Sequence, residues 1–458
     1  MMNSFKIVQM CVISVLLINT FKPVNSLGQC LSSSLQSKTF SGICDSLTLN
    51  QCIEKALENN PNIRYNNLRI EEVNAQRNKA ASQRLPHLRG TGSYYRFSDT
   101  QRLAPPRRSD YPLIFADNVL SYNLVLSMPL FTGGRIKNEI DAAELLQESA
   151  EYNFTYTRQE LIFNVTSVYF SILKQHKIIE SFDFSRTTLE KHLKRIEELI
   201  EAKKAAKLDK LRIEVRFANI IQKIEQEKNI RAIQYRALAN LMGVKKIDFT
   251  IPYQEELQLV ELEIDLEEIL NEAYVNRGDY QAVQKDVKAQ SKNVRATQAG
   301  YLPLISLYGS YGAKQAVGSF IKPNGIDGLE DIGQIGCFIE IPLFEGGRIR
   351  AAVQEDKAKL AVLKEKQREL ELQIQLEVES AVFNITSTKK RILAIEKAVE
   401  QADESLRIEI EKYNLGKGSI TDILDAESAL LEIQTSYYIA LADYNIFIAQ
   451  LQFVQGEA

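Results

Sequence analysis

The chain has 458 residues, 45% apolar and 25% charged, and a formal net charge of −3. That composition is close to an ordinary folded protein, and the mixing of both signs along the chain excludes a basic arm or patch for nucleic acid. With 11 prolines and 21 glycines in this length, helix should dominate.

Residues 1–26 read as a secretory signal. Lys6 precedes an apolar run from Ile7 to Ile18, and Val24 and Ser26 suit the −3 and −1 positions of a cleavage site. The run is too short to span a bilayer, and no later segment offers about 20 continuous apolar residues. Residues 27–46 form a linker. Its Cys30 fits a lipoprotein site poorly, and in an oxidising compartment it has Cys44 and Cys52 as candidate disulfide partners.

Thr48 and Gln51 have the spacing of a capping box, which starts a helix. The helix runs to Arg84, with a break near Asn60-Pro61. Leu85-Pro86 stops it, because proline lacks the amide donor and disfavours helix at the preceding residue. The period then changes from 3.6 to 2. The clearest strand is Leu120 to Leu130, where Leu120, Tyr122, Leu124, Leu126, Met128 and Leu130 share one face. Gly90 to Ser98 is a weaker strand, separated from it by a loop at 99–118. Strands of about 9–11 alternating residues suffice to cross a bilayer when tilted. A half-buried sheet on a soluble core shows the same alternation. Helix then returns. From Arg135 to Ala202 there is neither proline nor glycine, and about 65–70 helical residues make a rod of about 100 Å. After a short turn, residues 208–242 come back as a second helix. Residues 243–264 join this half to the next as a small equatorial element.

The remainder repeats the pattern. MPLFTGGRIK at Met128 returns as IPLFEGGRIR at Ile341, and LPHLRGTGSYY at Leu85 returns as LPLISLYGSYG at Leu302. Two echoes in one order at nearly one offset predict an internal duplication. The first repeat is 47–242, with its hairpin at 90–131, and the second is 265–458, with its hairpin at 304–344. Ile335 to Leu343 is the second exit strand and Leu304 to Ala313 the second entry strand. The return helix at 419–455 carries a heptad seam from Ile423 to Val454, which argues for coiled-coil packing. The fold class expected is mainly α, with long coiled-coil helices and four β-strands per chain. Four strands in an open sheet cannot sit in lipid with bare edges, so a membrane reading requires several chains to close one barrel.

The twice-written phrase reads as a joint between sheet and rod. Pro129 and Pro342 end the ladder, Gly133-Gly134 and Gly346-Gly347 turn the backbone from strand to helix, and Arg135 and Arg348 reach headgroups or neighbouring chains at the rim.

These pieces resemble the TolC-like outer membrane efflux protein family over about 47–456. The resemblance rests on LTLNQCIEKALENNPNI, AYVNRGDYQAVQKDVKAQSKNVRATQAGYLP, both PLF-x-GGRI phrases and YNLGKGSITDILDAESALL. It implies a homotrimer with a 12-stranded barrel in the outer membrane of a Gram-negative bacterium and a helical tunnel through the periplasm. The implied partners are a periplasmic adaptor, an inner-membrane transporter (proton-driven or ABC type) and outer membrane lipid. The cargo would be small molecules, as in drug efflux, or proteins, as in type I secretion. It implies Asp422 and Asp425 as a pore constriction, where three copies would form two carboxylate rings. Both acids also suit the helix dipole of a first turn. It implies Asp209 and Tyr413 as gate residues. The family's gate arginine has no counterpart, since Gly418 stands there, which leaves Lys203, Lys204 or Lys417 for closure. Lys203, Ala205, Gly416, Gly418 and Ser419 form the two exposed turns where an adaptor would dock. No enzyme is expected: no nucleophile–base–orienter set or phosphate-binding glycine loop appears in usable spacing. No Cys/His spacing fits zinc, and no cofactor is implied. The alternative is a secreted structural coiled-coil protein with a small soluble sheet and no channel.

Overall fold

Gln51 accepts a hydrogen bond from the Thr48 amide at 3.0 Å and opens helix α1, Leu49–Asn59. In this computed structural model, which describes residues 45–103, 114–252, 257, 259, 265–318, 320–321 and 328–457, the chain then breaks at Asn60. The Asn60 side chain caps the next helix by accepting from the Asn62 amide at 2.7 Å. It also donates to the Leu241 carbonyl at 2.8 Å. Pro61 occupies the first position of helix α2, Pro61–Ser82, where its missing N–H costs nothing. Strands β1, His87–Arg102, and β2, Phe115–Phe131, follow as an antiparallel hairpin. Helix α3, Arg135–Glu201, is the first rod, and α4, Lys207–Leu241, returns along it.

The second half repeats this order. Asp265 caps α5, Leu266–Asn276, and α6, Gly278–Gln298, follows a break at Arg277. Strands β3, Leu304–Ala316, and β4, Leu329–Glu340, form the second hairpin. Helix α7, Arg348–Asn414, and its return α8, Ile420–Gln455, complete it. The two rods, α3 and α7, have 67 residues each, about 100 Å at 1.5 Å per residue. Among the described residues no helix is long and apolar enough to cross a membrane.

All neighbours in the sheet are antiparallel, in the order β1-β2-β3-β4. The centre pair joins the two halves, with Ser127 opposite Tyr308 and Leu124 opposite Tyr311. Two sequence expectations are corrected here. Pro129 does not end the ladder: it lies within β2, opposite Ser306, and the register shifts only after it. Conversely, β4 stops at Glu340 rather than Leu343. Glu340 pairs with Leu304, the first residue of β3, and the preceding Pro303 has no amide with which to extend the ladder.

Burial follows the repeat. One apolar core gathers Cys52 and Ala56 of α1, Val165, Tyr169 and Ile172 of α3, Leu238 of α4, and Phe249 and Ile251 of the linking segment. Its counterpart holds Ile269, Ala273, Tyr280, Ile374, Val378, Ala440 and Tyr444. A third core lies towards the helical turns and joins the halves, with Phe182, Leu189 and Ile196 of α3, Ile213 and Ile220 of α4, and Ile420 and Leu424 of α8. The expected signal, the Cys30 and Cys44 options and most of residues 253–264 fall outside the described residues. Cys52 is wholly buried in the first core.

Candidate functional site

The sheet separates its side chains by chemistry. Because direct partners share a face, the register places Leu88 and Tyr94 with Leu120, Tyr122, Leu124 and Leu126, then with Leu307 and Tyr311, then with Ile335, Cys337 and Ile339. The opposite face is the more polar, with Thr91, Ser93, Ser121, Asn123, Ser127, Ser306, Ser310 and Gln334, although Tyr95, Val125, Tyr308 and Phe338 also lie on it. On the apolar face Leu88, Leu124, Tyr311 and Ile335 are more than half exposed. A soluble sandwich would cover that face. Among the described residues nothing does, and a strand wall with lipid outside and water inside has this division.

At the joint, both glycine pairs adopt left-handed backbone: Gly133 at φ 62 and Gly134 at φ 86, Gly346 at φ 57 and Gly347 at φ 84. A side chain at these angles is strained, so the sequence can leave the sheet and enter a rod in two residues. Arg135 pairs with Glu139 at 3.2 Å and Arg348 with Glu345 at 2.8 Å, each within its own rod start.

At the far end, the two turns share one hydrogen-bond scheme. The Lys204 amide donates to the Leu199 carbonyl at 2.8 Å, and the Lys417 amide to the Lys412 carbonyl at 2.9 Å. Both close a Schellman-type cap. The residue that turns left-handed is Gly416, φ 70, in the second turn and Lys203, φ 58, in the first. Lys203 is the one non-glycine with positive φ among the described residues, so the first tip carries a strained lysine where the second relaxes on glycine.

The proposed constriction acids already have partners within the chain. Asp422 is the third residue of α8 and accepts from the Ser419 amide at 2.9 Å and hydroxyl at 2.8 Å. Bonds from the Ser419 backbone and side chain hold its carboxyl below the usual carboxylate range. Asp425 is exposed and bonded to Arg216 of α4 at 3.0 Å. The gate candidates lie near each other, but no direct hydrogen bond joins them among the described residues. Burial raises the Tyr413 phenol, Arg195 opposes that, and the charge on Asp209 adds to it.

What the sequence reading missed is a set of links from the first repeat to the second. Arg195 donates to Asn414 Oδ1 at 2.9 Å. Arg212 donates to Thr421 Oγ1 at 2.7 Å and lies 3.9 Å from Asp209. Arg216 reaches Ser428 as well as Asp425. Deeper in, His192 Nε2 lies 2.9 Å from Oε1 of the buried Glu427. Above these links α4 and α8 separate around a cavity of about 550 Å³, lined by Phe182, Lys223, Glu427 and Glu432 among others. The signal was present as Arg212 and Arg216, four apart and therefore on one face of α4. It stays hidden in the sequence because the partners of both arginines lie more than 200 positions away.

A chain that offers an uncovered two-faced strand wall at one end of two long helical hairpins, with polar ties at their tips, is a conduit subunit of the cell envelope. More particularly, it belongs to the outer membrane efflux protein family, whose profile matches residues 52–244 and 269–457. It is similar to Outer membrane protein TolC of Escherichia coli K12, 23% identical over 433 residues, which span 90% of this chain and 82% of TolC. It is also similar to Outer membrane protein OprJ of Pseudomonas aeruginosa, 24% identical over 408 residues, spanning 86% of this chain and 82% of OprJ. Its fold matches the crystal structure of VceC from Vibrio cholerae with a TM-score of 0.75 at 20% identity, covering 89% of this chain and 96% of that one. The protein is an outer membrane channel subunit of a tripartite export system, extends into the periplasm and is not an enzyme.

Proposed function

We propose that three copies close one 12-stranded barrel, and that their helical hairpins form a tunnel whose periplasmic tip is gated. The observation that supports this is the sheet: one apolar face and one more polar face, with outer edges on β1 and β4 that are unpaired among the described residues. Lipid tolerates such strands only in a closed ring. At the tip, Asp422 and Asp425 serve as the constriction and Asp209 and Tyr413 as gate residues. The arginines of the first repeat supply the closing contacts for which the family's arginine is absent. Arg216 neutralises Asp425 in this state, so opening the tip and freeing Asp425 belong to one movement.

Docking falls to the exposed turns that carry Lys203, Ala205, Gly416, Gly418 and Ser419. An adaptor seated there would couple the channel to an inner-membrane transporter of the proton-driven or ABC type. Passage through such a tunnel needs little cargo-specific binding.

The test is single-channel recording. Asp209→Ala, Tyr413→Phe or Arg216→Ala should raise conductance several-fold by loosening the tip, and Asp422→Asn with Asp425→Asn should weaken cation selectivity. Wild-type conductance in the first three and an unshifted reversal potential in the last would reject these roles.

A further inference from the structure

Three ties between the repeats at the tips use arginine: Arg195 with Asn414, Arg212 with Thr421 and Arg216 with Asp425. Arginine does not lose its charge in proteins. A further tie is of another kind. His192 of α3 meets Glu427 of α8 at 2.9 Å, and histidine changes its charge between about pH 5 and pH 8.

Glu427 is poorly served by its surroundings. It is 9% exposed, and His192 bonds one of its carboxylate oxygens. Among the described residues the other oxygen, Oε2, is buried without a hydrogen-bond partner. A carboxylate so placed is costly unless a positive charge pairs with it. The neighbouring cations are committed elsewhere. On α4, Arg216 bonds Asp425 and Lys223 lies over the Phe182 ring at 5.7 Å. On α3, Arg195 bonds Asn414. The α7 helix packs along α8, and its charges in this stretch pair internally, Arg407 with Glu404 and Glu411, and Lys412 with Glu409. Asp403 of α7 is exposed, and Glu432 of α8 adds a negative charge to the cavity wall. The charge on His192 therefore decides whether Glu427 is compensated.

The duplication shows that the fold does not require this pair. Ser405 of α7 stands in the place of His192, and Glu214 of α4 in that of Glu427. Both are exposed, and Glu214 lies 3.7 Å from Lys210 of its own helix.

We propose that His192 and Glu427 form a pH-sensitive latch that holds α8 against α3 and thereby positions the tip. This rests on the gated-tip reading and says what governs the gate. When His192 is protonated, an imidazolium–carboxylate pair ties the return helix of the second repeat to the rod of the first. When the ring is neutral, its Nε2–H gives Glu427 one hydrogen bond and no charge, and the carboxylate gains more from water than from that bond. The cavity of about 550 Å³ beside it, with Asn219 and Gln222 of α4 in its wall, gives the departing side chain and water their room. The protonated ring belongs to the closed tip, so falling pH favours closure and rising pH favours release of α8.

The test is single-channel recording of the full-length protein at constant salt from pH 8 to pH 5.5, above the ordinary carboxylate range. Wild-type conductance should fall several-fold across this range and recover on return. His192→Gln, which keeps a neutral donor, should hold the high value throughout, and His192→Arg, which fixes a positive charge, the low one. Should His192→Gln fail to insert, Glu427→Gln, which removes the buried charge, should be equally insensitive to pH. His87→Gln, in the sheet, should respond as wild type. His176, whose pKa burial lowers to about 4, stays neutral in this window. A wild-type channel insensitive to pH, or an unchanged response in His192→Gln or Glu427→Gln, would overturn the latch. If Arg216→Ala still raises conductance in that case, the gated tip survives without it. If it does not, both readings fall.

Discussion

Arg277 shows how much one buried charge organises. It is 2% exposed and sits at the break between α5 and α6. Burial pulls its guanidinium down, but bonds to Asp279 and Glu377 more than offset this and leave it raised. Two of those bonds reach Asp279, at 3.1 and 2.7 Å, and one reaches Glu377 of α7 at 2.5 Å. Removing one partner of a buried ion set strands the others, at a cost of about 3 kcal/mol. Arg277→Ala should therefore lower the thermal midpoint of the helical signal in detergent by several degrees. An unchanged midpoint would show that water already satisfies the acids. At this scale the sequence was only partly legible. The joint glycines could be read because left-handed backbone has few tenants. Arg277 could not, because an arginine in a helix break looks like any surface arginine until α7 is brought against it. The tip arginines Arg212 and Arg216 could be placed on one helix face but not given partners, for the same reason: those partners lie more than 200 positions away.

The elements themselves were legible wherever periodicity was long. Rods without proline or glycine and strands of alternating polarity report their own geometry, and the duplication checked each against its twin. Ends were less legible. Where β4 stops depends on the availability of Leu304 and Pro303 as partners, which is tertiary information. The packing of α3 on α4 likewise contains a group that no pattern announces. His176 of α3 lies 3.0 Å from the Tyr235 hydroxyl and 3.2 Å from Arg231 of α4. Burial, then Arg231 and Lys177, lower its pKa from 6.5 to about 4. The folded chain thus keeps a neutral ring where the unfolded chain takes a proton. The stability this contributes is fully present above pH 6.5 and is lost as pH falls from 6.5 through about 4. The ring is only part-buried, so the screened effect is on the order of 1 kcal/mol. His176→Gln should flatten this part of the stability profile, measured by thermal melts between pH 7 and pH 4. A profile with the same slope in the variant would assign the acid sensitivity elsewhere.

For the whole molecule, the single chain is an incomplete object. Its exposed apolar strand face and the outer edges of β1 and β4, unpaired among the described residues, are liabilities in water, and each is removed by closing a ring in lipid. The long rods set the reach of that ring away from the membrane, and the cross-repeat ties at the tips hold the two hairpins of one copy together. Fold class and family could be read from sequence because the duplication fixes the architecture. Closure could not be read from one chain, since it is a property of several. The most direct test of the account is the wild-type protein, purified in detergent and added to a planar lipid bilayer. The account predicts stepwise, long-lived conductance from a heat-sensitive trimer that needs detergent to stay dispersed. A monomer that is dispersed without detergent and leaves the bilayer silent would contradict it.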